Sequence, residues 1–296
     1  MWYHKLIKFR IFREGYSMNL TWLQSAMMGL ASGFSGPLPL SPAASRGLMR
    51  QFFGTEAEGP LFLLLCHAAV LAVMLTAGSL DLGRLRRTRR LLKTPPKRRT
   101  SHPDLNSAGT LKLLRSAGIL AVVGRMLSVH FAPAADRLYL LVPMLAATGL
   151  LIWLPSHFRT ANKDGRHLAP ADGTIMGLGA LFSAVPGVSL VGVGASLGIL
   201  RGADQRYALR FAWLLLCLDL AAALVIDLLN LAGTGFSFGL SQIISAAVGG
   251  VCSALGAYLA VQLARSLIRR GGVGIGGFCY INWGMALFCL MLFLLV

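Results

Sequence analysis

The chain has 296 residues, is 55% hydrophobic and only 13% charged, about half the charged fraction of a soluble domain, and its mean hydropathy is +0.66. Apolar runs near 20 residues recur, each long enough to cross a bilayer, which excludes a soluble enzyme. The formal charge of +17 is concentrated in places: residues 84–99 (RLRRTRRLLKTPPKRR) hold nine Lys/Arg, and a basic run between apolar spans reads as a cytoplasmic loop facing anionic lipid rather than a nucleic-acid site.

In chain order, residues 1–17 form a basic, amphipathic extension suited to a surface helix, with Met18 an alternative start. Residues 19–53 are apolar but broken by Gly29, Gly33, Gly36, Pro37, Pro39 and Pro42. Continuous spans follow at 60–80, 111–132 and 138–155, with the basic loop over 84–108 between the first two. Residues 172–200 are broken again, by Gly173, Gly177, Gly179, Pro186, Gly187, Gly192, Gly194 and Gly198. Three further spans are predicted at 211–232, 241–264 and 278–296. Cys66, Cys217, Cys252, Cys279 and Cys289 all fall in apolar stretches without metal-ligand spacing, and are expected to pack as small apolar residues.

One broken segment followed by three helices is thus stated twice, as a first repeat over 18–156 and a second over 172–296. The broken segments align without gaps, GLASGFSGPLPLS at 29–41 against GLGALFSAVPGVS at 177–189. Three helices per repeat is odd, so the repeats should have opposite orientation. The sequence therefore predicts an all-α, polytopic integral membrane protein with inverted-topology repeats, each a re-entrant broken hairpin plus three transmembrane helices. Positive residues favour the cytoplasmic side. That rule places 84–99, Arg159, Lys163, Arg166, Arg201, Arg206, Arg210, Arg265, Arg269 and Arg270 inside, and Glu56 and Glu58 outside.

Broken backbone at membrane depth must find partners in protein or in a water-filled cavity. Free N–H groups at helix N-termini there make an anion site. Candidate phosphate-binding residues are Ser41, Ser45, Arg46, Gly187, Ser189 and Arg201, with Ser41 and Ser189 as candidate nucleophiles. Arg46 is also placed to snorkel at the outer interface. Arg125, Asp219, Asp227, His67 and His130 lie in or near the spans, where ionisable groups are usually paired or functional. A pairing of Arg125 with Asp219 would bridge the repeats.

These residues carry a resemblance. LQSAMMGLASGFSGPLPLSPAAS (23–45) resembles the first signature of the undecaprenyl-diphosphatase (bacitracin-resistance) family, roughly QG-x-x-EG-x-x-EFLP-[IV]-SS-x-x-H, through Gly29, Gly33, Leu38, Pro39 and Ser41. DGTIMGLGALFSAVPGVSLVGVGASLGILR (172–201) resembles the second, roughly G-x-x-Q-x-x-A-x-x-PG-x-SRSG-x-T-x-x-x-G-x-x-x-G-x-x-R, through Gly179, Pro186, Gly187, Ser189, Gly198 and Arg201. The likeness spans nearly all of 19–296. It implies inverted repeats with two re-entrant hairpins, a multi-pass protein of the bacterial inner membrane, and a polyprenyl (di)phosphate lipid carrier of cell-envelope peptidoglycan synthesis as substrate. The reaction implied is hydrolysis of undecaprenyl diphosphate to undecaprenyl phosphate. It also allows a homodimer.

The departures fall on the chemistry. The family glutamates become Ser32 and Gly36, the second signature serine Pro42, the histidine Ser45, the Ser-Arg arginine Leu190, and the glutamine Ala180. No cofactor is evident, and Mg²⁺ or Ca²⁺ is expected only if the family reaction survives, because hard cations want carboxylate oxygens. Three readings follow. One is a phosphatase on a rearranged site of Ser41, Ser45, Arg46, Ser189 and Arg201. Another is a non-hydrolysing binder, flippase or transporter of a lipid phosphate. The last is a structural membrane partner with a vestigial site, a pseudoenzyme in effect.

Overall fold

A computed structural model describes residues 21–55, 58–95, 101–158, 162–233, 238–270 and 274–295. The basic extension over 1–17, Glu56 and Arg159 lie outside the described residues, as do the side chains of Arg269 and Arg270. The described residues form eleven α-helices: α1 (Trp22–Ser35), α2 (Pro42–Phe53), α3 (Pro60–Ala77), α4 (Ser79–Lys93), α5 (Leu105–Phe131), α6 (Leu138–Trp153), α7 (Pro170–Phe182), α8 (Leu190–Leu200), α9 (Gln205–Gly233), α10 (Leu240–Arg270) and α11 (Phe278–Leu295). Six helices, α3, α5, α6, α9, α10 and α11, are long and apolar enough to cross a membrane. The protein is an all-α, multi-pass membrane protein.

The two broken segments are helical hairpins. Thr21 and Gln24 form a capping box at the start of α1, Gln24 N–H to Thr21 Oγ1 and Thr21 N–H to Gln24 Oε1. The helix ends at Gly36, whose N–H still reaches the Ser32 carbonyl, because the following Pro37 has no N–H to continue the ladder. Ser41 then caps α2, with Pro42 in its first turn. In the second hairpin the Asp172 carboxylate accepts from Ala169 N–H at the start of α7. The chain reverses through Gly187, whose φ of +99° suits glycine, and Ser189 caps α8.

The basic stretch expected as a loop over 84–108 is largely helix, and α5 begins at Leu105. The reason is amphipathicity: Leu85 and Thr88 are buried on one side of α4, and Arg84, Arg86, Arg87, Arg89 and Arg90 are exposed on the other.

Packing is exchanged between the halves. The first helix of hairpin one, α1, lies along α10, and the first helix of hairpin two, α7, lies along α5. Helices α3 and α9 pack on each other, as do α6 and α11. Small residues permit the exchanged contacts. A Cβ on Gly33 would overlap the Ser253 backbone, and one on Gly177 would stand 2.7 Å from Ala117 Cα.

The hairpins open on opposite faces. At one face the ends of α2, α5 and the start of α3 meet: Arg50 Nη1 is 2.6 Å from Glu58 and its Nη2 is 2.7 Å from Asp136. At the other, the start of α5 meets the mouth of hairpin two and the start of α9, through Gly165 N–H to Asn106 Oδ1 (2.9 Å) and Thr110 to the Tyr207 hydroxyl (2.9 Å). Helix α5 therefore runs from the second face to the first. The tips meet between the faces, where Gly187 N–H donates to Ser41 Oγ (3.1 Å).

Candidate functional site

The broken backbone at the tips is satisfied by side chains from the spanning helices. Trp213 Nε1 donates to the Pro37 carbonyl, Asn282 Nδ2 to the Pro39 carbonyl and Thr148 Oγ1 to the Gly187 carbonyl, each at 2.9 Å. Each contact removes an orphan carbonyl that lipid could not hydrate.

The tip hydroxyls are committed in the same way. Ser41, 1% exposed, accepts from the N–H groups of Ala44 and Gly187. Ser189, fully buried, accepts from Gly192 N–H at 3.0 Å. Ser45 donates to the Ser41 carbonyl at 3.0 Å. Among the described residues no imidazole or carboxylate lies within hydrogen-bond reach of Ser41 or Ser189 Oγ, so neither has a base positioned to activate it.

Arg46 sits one turn into α2, half-buried, and its Nη1 donates to Ser32 Oγ at 3.0 Å. Among the described residues no carboxylate forms an ion pair with it. Ser32 is itself 4% exposed. Arg201 is not brought to this place. It caps the far end of α8, about 18 Å of helix from Ser189, and its Nε binds Asp172 Oδ1 at 2.7 Å at the opposite face. Gly187, the remaining candidate, has both backbone groups occupied by Ser41 and Thr148.

Around Arg46 lies a set of buried ionisable groups that sequence reasoning only partly found. Arg125 holds Asp219 through both carboxylate oxygens, Nε to Oδ1 at 3.1 Å and Nη2 to Oδ2. His67 Nδ1 is 2.6 Å from Asp227 Oδ2. Arg46 lies in electrostatic reach of Glu58, Arg50 and Arg125, and His67 in reach of Arg125 and Arg46. Charged residues in apolar runs were visible one by one. The pairing of His67 with Asp227, 160 residues apart, left no local signal.

Mg²⁺ or Ca²⁺, which the resemblance would bring, needs several oxygen ligands, carboxylates among them. The tip side chains offer hydroxyls, and the buried carboxylates Glu58, Asp219 and Asp227 are each engaged by Arg50, Arg125 or His67. Among the described residues no three His, Cys, Asp or Glu side chains come together as a metal site. The residues present do not fit such an ion.

Two helical hairpins meeting tip to tip inside six helices long and apolar enough to span a bilayer, with an arginine beside them, define a multi-pass membrane protein. The sequence profile of the bacitracin resistance protein BacA family matches residues 25–288, and the chain belongs to that family. It is similar to the undecaprenyl-diphosphatase of Rubrobacter xylanophilus, 27% identical over 276 residues, covering 92% of this chain and 98% of that protein. Similar too are the undecaprenyl-diphosphatases of Carboxydothermus hydrogenoformans, 23% identical with 91% and 96% covered, and of Syntrophotalea carbinolica, 26% identical with 90% and 98% covered.

Proposed function

We propose that this protein binds the phosphate head group of a polyprenyl phosphate or diphosphate lipid carrier at Arg46, in the bacterial inner membrane, without hydrolysing it. The observation that carries the reading is Arg46: a half-buried guanidinium at hairpin depth, held by a neutral hydroxyl and lacking a carboxylate partner among the described residues. A cation at membrane depth is costly until paired, and a phosphate oxygen is the charge-assisted partner its fork suits. Phosphoryl transfer needs charge neutralisation and a positioned nucleophile as well. Here Ser41 and Ser189 are engaged as helix caps and the carboxylates as ion-pair partners.

The basic residues of α4 and of the hairpin-two mouth share one face, which the charge rule makes cytoplasmic. Hairpin one then opens to the outer side, and a head group would reach Arg46 from there. Membership in a family whose relatives are named diphosphatases, with Ser41 and the Gly187-x-Ser189 motif retained, favours hydrolysis as the second reading.

Phosphate release from undecaprenyl diphosphate separates the two. Purified protein is assayed with Mg²⁺, Ca²⁺ or chelator, beside a Ser41→Ala/Ser189→Ala double variant. Binding without release under every condition is expected. Release that the double variant loses would establish the second reading and end the first.

A further inference from the structure

The His67–Asp227 pair is used by neither reading. It joins α3 to α9, the helices that pack on each other across the two halves. Both residues are buried, 8% and 6% exposed. Helix rise places Arg46, His67, Arg125 and Asp227 at one level. Each lies six or seven residues from the end of its helix at the Glu58 face, about 10 Å beneath that face at the α-helical rise.

Among the described residues, the buried charges in and around this layer are Arg46, Arg50 and Arg125 against Glu58, Asp219 and Asp227, three against three. Asp136 touches Arg50 from the surface, nearly half exposed. With neutral imidazole the buried set is balanced, and with imidazolium it carries one excess positive charge. Arg125–Asp219 has a fixed charge, because arginine does not deprotonate. His67 is the group whose ordinary titration falls between pH 5 and 8. Around His67, Asp227 comes from α9, Arg125 from α5 and Arg46 from α2. Its own helix adds the Cys66 thiol, and α10 adds the Ser253 hydroxyl, 3.5 Å from the Cys66 carbonyl. Helix α1 contributes Ser32, through Arg46.

We infer that the His67–Asp227 pair is a proton-binding site coupled to anion binding at Arg46, so that proton uptake by the pair tightens the hold on a phosphate head group. The inference rests on the reading of Arg46 as the anion site. With the pair deprotonated, the Asp227 carboxylate offsets the positive field of Arg125. Once the imidazolium neutralises Asp227, that field is left to an incoming phosphate at Arg46, which lies in electrostatic reach of His67 and Arg125. Linkage is reciprocal: a bound anion raises the pair's proton affinity by the same factor. Affinity therefore rises as pH falls through the titration of the pair. A carrier loaded with anion and proton together, and emptied of both where the pH is higher, follows from the same coupling.

The test uses the full-length protein in nanodiscs and farnesyl methyl phosphate, a phosphodiester whose single charge stays fixed, so that any pH dependence belongs to the protein. Wild type should bind about five- to tenfold more tightly at pH 5.5 than at pH 8, the size of ordinary coupling between two sites. It should also take up protons on binding, read by calorimetry in two buffers of different ionisation enthalpy. Asp227→Asn, which removes the offsetting charge, should bind at the tight level at both pH values. His67→Asn, which keeps the Asp227 charge but not the proton site, should bind at the loose level at both. A purely structural pair predicts equal weakening in the two variants. Should either variant fail to fold, the wild-type proton uptake decides alone. Binding by wild type with neither pH slope nor proton uptake overturns the coupling and leaves the Arg46 reading standing. No binding at any pH overturns both.

Discussion

Replacing Gly33 by alanine tests whether hairpin one is held in place by backbone contact with α10. A Cβ built on Gly33 lies 2.6 Å from the Ser253 carbonyl carbon and 2.7 Å from Ser253 Cα. Ordinary contact begins near 3.4 Å, so α1 has to retreat by about 1 Å. The obstacle is main chain in the middle of a 31-residue helix, which cannot rotate aside as a side chain would. Overpacking of this kind costs about 1–3 kcal/mol. The retreat also displaces Ser32, the neighbour of Gly33 that accepts from Arg46 at 3.0 Å. Gly33→Ala should therefore lower stability by about 1–3 kcal/mol and weaken phosphate-lipid binding as well. Gly284→Ala in α11 is the control: a Cβ there meets nothing within 4 Å, and the change should not lower stability. Equilibrium unfolding in mixed micelles reads both. Equal stability of Gly33→Ala and wild type would refute the packing argument, and so would equal losses in the two variants.

Three further outcomes are expected. Asp219→Asn or Arg125→Gln leaves its buried partner unmatched and should cost about 3–5 kcal/mol, with the double variant well short of additive. Ser41→Ala removes the cap of α2 and the acceptor of Gly187 N–H. It should lower stability by about 1–2 kcal/mol while phosphate-lipid affinity falls less than on loss of Arg46. Asp104 caps α5, and the Ser107 hydroxyl, with the backbone N–H groups of Ser107 and Asn106, holds its carboxyl below the usual carboxylate value. That contribution is complete above about pH 4 and fades as pH falls through the lowered value, so Asp104→Ala should lose about 1 kcal/mol at neutral pH and progressively less on acidification.

The sequence made the hairpins legible because glycine and proline cluster where helices must break, and the spans legible because lipid demands long apolar runs. The Arg125–Asp219 pair was foreseeable, since two opposite charges in apolar spans need company. The α4 helix was hidden by its arginines. Its small apolar face, centred on Leu85 and Thr88, is too narrow to stand out beside so much charge. The role of the tip serines was hidden too. The hairpin pattern marks Ser41 and Ser189 as polar groups at helix starts, a position that suits an N-cap as well as an anion site. Tertiary contact, Gly187 N–H on Ser41 Oγ above all, shows the hydroxyls at work as caps. Arg201 illustrates the converse. Its place in the motif suggested phosphate, yet helix α8 carries it to the far face and Asp172.

Arg46 is the anion site in the function proposed above, and its loss should weaken binding. The direct measurement is binding of undecaprenyl phosphate to wild type and to Arg46→Gln, both in nanodiscs and both shown to be folded. A charge-assisted hydrogen bond contributes about 1.5–3 kcal/mol, so the variant should bind about 10- to 100-fold more weakly. Equal affinity of the two proteins would contradict the account.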